Sequence, residues 1–111
     1  MTDSIRDLLR ITADRAATYL ETLDQRGVAP SPEAVARLTE LDVPLPESPS
    51  APEQTLAVLD EIGSPATVAT SGRRFFGFVI GGSVPAALAA NWMAGTWDQN
   101  AGLRVASPIA A

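Results

Sequence analysis

Arg73-Arg74-Phe75-Phe76-Gly77-Phe78-Val79-Ile80, followed by Gly81-Gly82-Ser83 and then by the alanine-rich run Pro85 to Trp97, is the stretch on which the fold turns. Its first part is aromatic and β-branched, a composition that predicts an extended segment. The glycine pair ends that segment, Ser83 is placed to cap the next element, and Pro85 suits the first turn of a helix over Ala86 to Trp97. A helix with so little charge is expected to be buried on several sides.

No Asp, Glu, Lys or Arg occurs from Phe75 through Trp97. Taken whole, such a run has the length of a bilayer span, but Gly81, Gly82, Ser83 and Pro85 divide it into two pieces that are each too short. A buried segment and helix is the reading preferred over membrane insertion. Gly81, Gly82 and Ser83 before a helix could offer amides to an anion, yet without a nucleotide-loop lysine or a βαβ pattern, helix capping is the simpler reading.

Working towards the N-terminus, Ser64 to Gly72 is small and polar, and Ser50 with Glu53 fits a capping box for a third helix carrying Leu56, Leu59 and Ile62 up to Gly63. Pro44, Pro46, Pro49 and Pro52 cannot sustain a helix and predict an extended connector over 43–52. Ser31, Pro32 and Glu33 open a second short helix through about Glu40, with Val35 and Leu38 facing inward. From Asp3 to Arg26, Ile5, Leu8, Leu9, Thr12, Ala16, Tyr19, Leu20 and Leu23 follow the three-and-four spacing of one helical face, with Gly27 as the stop. Arg6, Asp7, Arg10, Asp14, Glu21 and Asp24 make the opposite face a solvated one.

Beyond Trp97, Asp98 and Asn100 suit local turns. Ser107 and Pro108 look like the opening of another helix that the chain barely continues, which reads as a truncated product. Trp92 and Trp97 read as core or interface packing in preference to ligand stacking. Arg73 and Arg74 read as solvated or salt-bridged in preference to a carboxylate clamp.

A net charge of −5 repels phosphate backbones, so nucleic acid is not an expected partner. The chain has no cysteine or histidine, and its eight basic residues are all arginine. Zinc, thiolate and imidazole chemistry have no residues here, and no side chain can form a Schiff base. The first ten residues show no basic region followed by an apolar run, so no signal peptide is expected and the cytoplasm is the default. No close acid pair for proton transfer can be inferred.

The ordered series Arg74, Phe75, Phe76, Gly77, Phe78, then Pro85 to Ala89, Asn91 and Trp92, then Ser107 and Pro108, resembles the group II pyridoxal-phosphate-dependent amino-acid decarboxylases, which include the glutamate and aromatic amino-acid enzymes. The likeness covers about a third of the chain, with the preceding helices suiting that family's N-terminal arm. It implies a mostly α chain, a helical arm plus an extended Phe-rich segment, as a fragment of a transferase-like (fold type I) α/β enzyme. Residues 1–72 would be the dimerisation arm with its Pro-rich connector, and 73–111 the substrate-side segment and helix leading to a cofactor domain outside this chain.

The resemblance implies that Phe78, Val79, Ile80 and Gly81 line the substrate side of the cofactor, and that Asn100 and Gly102 reach the partner subunit's active site in a homodimer. Pyridoxal 5′-phosphate would belong to the full-length parent, with no covalent bond to this chain and no catalytic residue within it. Where the family has His-Pro, this chain has Gly72 and Arg73; where the aromatic enzymes have an aromatic residue, Pro and Thr, it has Val79, Ile80 and Gly81. Those departures point away from an aromatic substrate. The alternative reading is a free-standing helical dimerisation or interaction module without enzymatic activity.

Overall fold

The computed structural model describes residues 4–110, and their regular structure is entirely helical, with no strand among them. Two compact units divide the chain, Met1–Gly81 and Gly82–Ala111.

In the first unit, helix α1 runs Ile5–Glu21. Ser4 begins it by accepting the Asp7 amide at 3.2 Å, and Asp7 places negative charge where the first-turn amides are unpaired. The helical face extends as expected but tightens beyond Thr22 into a 3-10 turn over Leu23–Gln25. Leu8, Ile11, Thr12, Arg15, Ala16 and Tyr19 form its half-buried arc, while Ile5, Leu9 and Leu20, expected on that same face, are exposed.

Helix α2, Pro32–Ala36, opens as the sequence predicts: Ser31 accepts the Ala34 amide at 3.1 Å and Pro32 occupies the first turn. It continues as a 3-10 turn over Arg37–Leu41, but Val35 and Leu38 stay exposed rather than facing inward. Helix α3, Pro52–Val58, begins at Ala51 with no side-chain cap, so the expected capping box at Ser50 does not form. Proline at the first turn already removes one orphan amide, which leaves less for a cap to satisfy. The helix widens to π geometry over Leu59–Gly63 and narrows to 3-10 over Ser64–Ala66. Pro65 explains the change, since it has no amide and its ring crowds the carbonyl four residues back.

Leu23, Ile62 and Ala69 are the buried apolar side chains among the described residues, a small core for one unit. Backbone and arginine contacts supplement it. The Ala69 amide donates to the Val28 carbonyl at 2.9 Å, and Gly72 sits so close to Leu23 and the Ala69 carbonyl that a larger residue would crowd both.

The Phe-rich segment corrects the sequence reading, because Phe75 to Ile80 is irregular and turned, not extended. The Phe75 amide donates to the Gly72 carbonyl and the Ile80 amide to the Gly77 carbonyl, each at 3.3 Å. Phe78 and Val79 both take left-handed backbone, at φ 57° and 55°. A strand needs a neighbouring edge for its amides and carbonyls, and none exists among the described residues. β propensity without a partner strand gives way to local turns.

In the second unit, helix α4 spans Pro85–Trp97 with Val84 before it and no side-chain cap, so Ser83 does not take the capping role expected of it. Asp98 ends it in left-handed geometry at φ 51°, its amide donating to the Ala94 carbonyl at 3.2 Å. Only Leu88 of this helix is half-buried, and the remainder is exposed. Burial on several sides, expected from its composition, is therefore not provided by the described residues of its own unit. The helix expected at Ser107 and Pro108 is a single turn, with the Ala110 amide donating to the Ser107 carbonyl.

Candidate functional site

Two places in the first unit have the features of a site: an apolar tip and a polar groove. At the tip, Phe76, Phe78 and Val79 are almost wholly exposed, and Ile80 is largely so. Phe75 turns the other way and is half-buried beside Gly77 and Gly81. Val79 at positive φ is an outlier for a β-branched residue, and Gly81, at φ 124°, lies where any side chain would collide with the Thr70 carbonyl oxygen. The chain thus holds three apolar side chains outward on a backbone that most sequences would avoid.

Phe78, Val79, Ile80 and Gly81, the residues singled out from the sequence, share this one turn. Asn100 and Gly102 belong to the second unit, where the Asn100 side-chain oxygen accepts the Gly102 amide at 2.8 Å. That local Asx-type turn is the geometry anticipated for Asn100 in a loop. Among the described residues, no group of three or more His, Cys, Asp or Glu is arranged to hold a metal ion.

The groove, about 360 Å³ in volume, is lined by Ile11, Asp14, Arg15, Thr18, Tyr19, Asp60 and Ser64. Arg15 donates to Asp60 across it at 2.8 Å, so their charges offset one another. Beside it Arg26 lies over the Tyr19 ring, 4.2 Å from its centroid, and donates to the Ser64 carbonyl at 2.8 Å and hydroxyl at 3.1 Å. Tyr19 and Thr67 share a hydroxyl hydrogen bond of 2.8 Å. Arg15 Nη1, both Arg26 Nη atoms and the Tyr19–Thr67 hydroxyl pair are spent on protein partners, although Arg15 Nε is buried without a hydrogen-bond partner, and the cluster acts as a clasp between α1 and the helical run after α3.

Arg73 and Arg74 are likewise committed: Arg73 pairs with Asp24 at 3.4 Å, and Arg74 donates to the carbonyls of Asp24 and Arg26. The salt-bridged reading holds for Arg73, whereas Arg74 is held by backbone carbonyls and not by a carboxylate. Arg37 reaches Glu40 at 2.8 Å and Glu61 at 3.6 Å. Hydrogen bonding to Arg37 holds the Glu40 carboxyl below its ordinary range, and hydrogen bonding to Glu40 raises Arg37.

Sequence reasoning missed the clasp formed by Arg15, Tyr19, Arg26, Asp60 and Ser64. One signal was present: Arg15 falls on the same helical arc as Leu8, Ile11 and Tyr19, and a charge on a buried arc requires a partner. Its partner 45 residues away carries no such mark.

Comparison with protein-family models, with curated proteins and with solved structures gives no match. Among the described residues, no helix is long and apolar enough to cross a membrane.

Proposed function

We propose that this chain is the N-terminal, surface-supplying part of a cytoplasmic pyridoxal-phosphate-dependent amino-acid decarboxylase, a lyase of carboxylic- and amino-acid metabolism that works as a homodimer. The ordered motifs from Arg74 to Pro108 carry the reading. The exposed Phe76, Phe78, Val79 and Ile80 support it, because a turn that holds apolar side chains outward on left-handed backbone suits a wall completed by another domain. In the proposal these residues and Gly81 line the substrate side of the pocket, while Asn100 and Gly102 approach the partner subunit's site.

The cofactor itself does not fit this chain. Its capture takes a primary amine on a side chain, and all eight basic residues are arginine; stacking on its ring by imidazole is impossible without histidine. The cofactor supplies the electron sink for loss of carbon dioxide when bound to the rest of such an enzyme. This chain contributes packing, orientation and exclusion of water.

Two measurements test the proposal. The genomic reading frame after the Ala111 codon is expected to encode a lysine-bearing cofactor domain, and an immediate stop codon there would overturn the assignment. The isolated 111-residue polypeptide, verified by mass, is expected to release no carbon dioxide from amino acids with added pyridoxal phosphate beyond the protein-free rate. A rate well above that background would place chemistry in this chain and contradict the proposal.

A second reading, a free-standing helical interaction module, is favoured by one observation: α1 keeps Ile5, Leu9 and Leu20 exposed. A stop codon after Ala111 together with a stable folded dimer would support it over the first.

A further inference from the structure

The polar groups of the groove divide into those committed within the fold and those left over. Arg15 Nη1 donates to Asp60, the Thr18 hydroxyl donates to the Asp14 carbonyl at 2.9 Å, and the Ser64 hydroxyl oxygen accepts from Arg26. Among the described residues, the Asp14 carboxylate forms no ion pair, Arg15 Nη2 and Nε have no acceptor, and the Ser64 hydroxyl keeps its own proton.

The clasp accounts for the committed groups and not for the remainder. Nε and Nη2 form the edge of a guanidinium that grips a carboxylate through two parallel N–H bonds. In Arg15 that edge is unpaired, and Nε is also shielded from water, a state whose cost is relieved when an oxyanion is brought to it. Asp14, the preceding residue of α1, is exposed and puts an unpaired negative charge on the same groove. The groove thus offers a donor edge for an anion beside an acceptor for a cation.

Charge and size narrow the ligand. Arg15 and Arg26 balance Asp14 and Asp60, so the surroundings favour a molecule whose charges are separated but sum to zero. A simple anion would face two carboxylates, and a simple cation two guanidinium groups. The volume of about 360 Å³ lies at the small end of cavities that hold small molecules, and Ile11 with the Tyr19 ring gives it an apolar wall.

We propose that this groove binds a free α-amino acid with an aliphatic side chain. Its carboxylate takes the Nε–Nη2 edge of Arg15 and the Ser64 hydroxyl, its ammonium pairs with Asp14, and its side chain lies on Ile11. A turn of the part-exposed Arg15 guanidinium about its bond to Asp60 uncovers Nε for the carboxylate. Because α1 and the helical run after α3 both hold the ligand, binding also tightens the clasp between them. The inference goes beyond the decarboxylase reading and does not rest on it, since the groove shares no residue with the Phe78 to Gly81 turn.

Amide resonances of the full chain titrated with L-leucine are expected to shift saturably from Ile11 to Tyr19 and from Asp60 to Ser64. Two analogues remove one charge each: 3-methylbutylamine lacks the carboxylate and 4-methylpentanoate lacks the ammonium. Each is expected to bind at least about tenfold more weakly than leucine. Asp14→Asn, at an exposed position outside the clasp, is expected to weaken leucine at least about threefold and to leave 4-methylpentanoate no weaker. Arg15→Lys keeps the charge but loses the edge, so it should weaken both, with circular dichroism checking that the helices remain.

Absence of saturable shifts at about 20 mM leucine would overturn the proposal. Either analogue binding as tightly as leucine would mark a plain ion contact and overturn it too, as would leucine binding unchanged by Asp14→Asn. The analogue comparison uses the wild-type chain, so it decides the matter even where a variant unfolds. None of these readouts involves the cofactor or turnover, and they leave the decarboxylase proposal to its own tests.

Discussion

The two units differ in what holds them. Unit Met1–Gly81 has few buried side chains but is cross-braced: Arg15 to Asp60, Arg26 to Ser64, Arg37 to Glu61 and Arg74 to two carbonyls each join segments far apart in sequence. Unit Gly82–Ala111 has none of these braces among the described residues, and its helix α4 exposes Trp92, Met93 and Trp97. Charged braces can hold a thin core together, whereas an uncharged helix can be held only by a surface laid against it.

The contrast is broken most severely at the core. Leu23→Ala is expected to destabilise the first unit by about 2–5 kcal/mol, since it removes one of so few buried apolar groups, and thermal unfolding of that unit reads the loss. Leu88→Ala in the half-buried position of α4 is expected to change the isolated chain's melting far less. Equal losses at both positions would erase the distinction between the units.

Next in size are the braces. Arg26→Ala removes two hydrogen bonds to Ser64 and the contact with the Tyr19 ring, at a cost of about 1–3 kcal/mol in denaturant unfolding. Arg26→Lys should recover little of it, because an ammonium cannot reach both Ser64 oxygens in the plane that guanidinium uses.

The turn that closes the first unit gives a smaller, oppositely signed pair. Val79→Gly is expected to stabilise the isolated chain by up to about 1 kcal/mol by releasing a β-branched residue from positive φ. Gly81→Ala is expected to destabilise it, because its new methyl meets the Thr70 carbonyl oxygen.

The elements that announced themselves in the sequence are those whose causes are local. Ser31 with Pro32 marks the start of α2, Pro85 marks that of α4, and the Ile5 to Leu23 periodicity marks α1. The features that were not legible depend on distant or missing partners. Phe75 to Ile80 carries strand composition but has no neighbouring strand among the described residues, so it turns. Ser50 and Ser83 are good caps that sit one residue too early, because Pro52 and Pro85 set the first turns. Phe78, Val79, Ile80 and Gly81 are singled out by the family resemblance and lie in one turn simply as chain neighbours, whereas the Arg26 clasp came only from the structure.

The smallest effect is the pH response of the Arg37 and Glu40 pair. Glu40 has a lowered carboxyl pKa in the fold, so its stabilising contribution is complete above the unfolded glutamate value and is lost as pH falls through the lower folded value. Because both groups are exposed, Glu40→Gln should flatten the acid limb of the stability profile only slightly.

Native-state hydrogen exchange on the isolated chain decides whether the first unit braces itself while α4 awaits a covering surface. Amides of α1 from Leu8 to Leu20 are expected to be protected, with amides from Leu88 to Trp97 exchanging close to the rates of an unfolded chain. Protection of α4 equal to that of α1 would contradict the division between a braced unit and an uncovered helix.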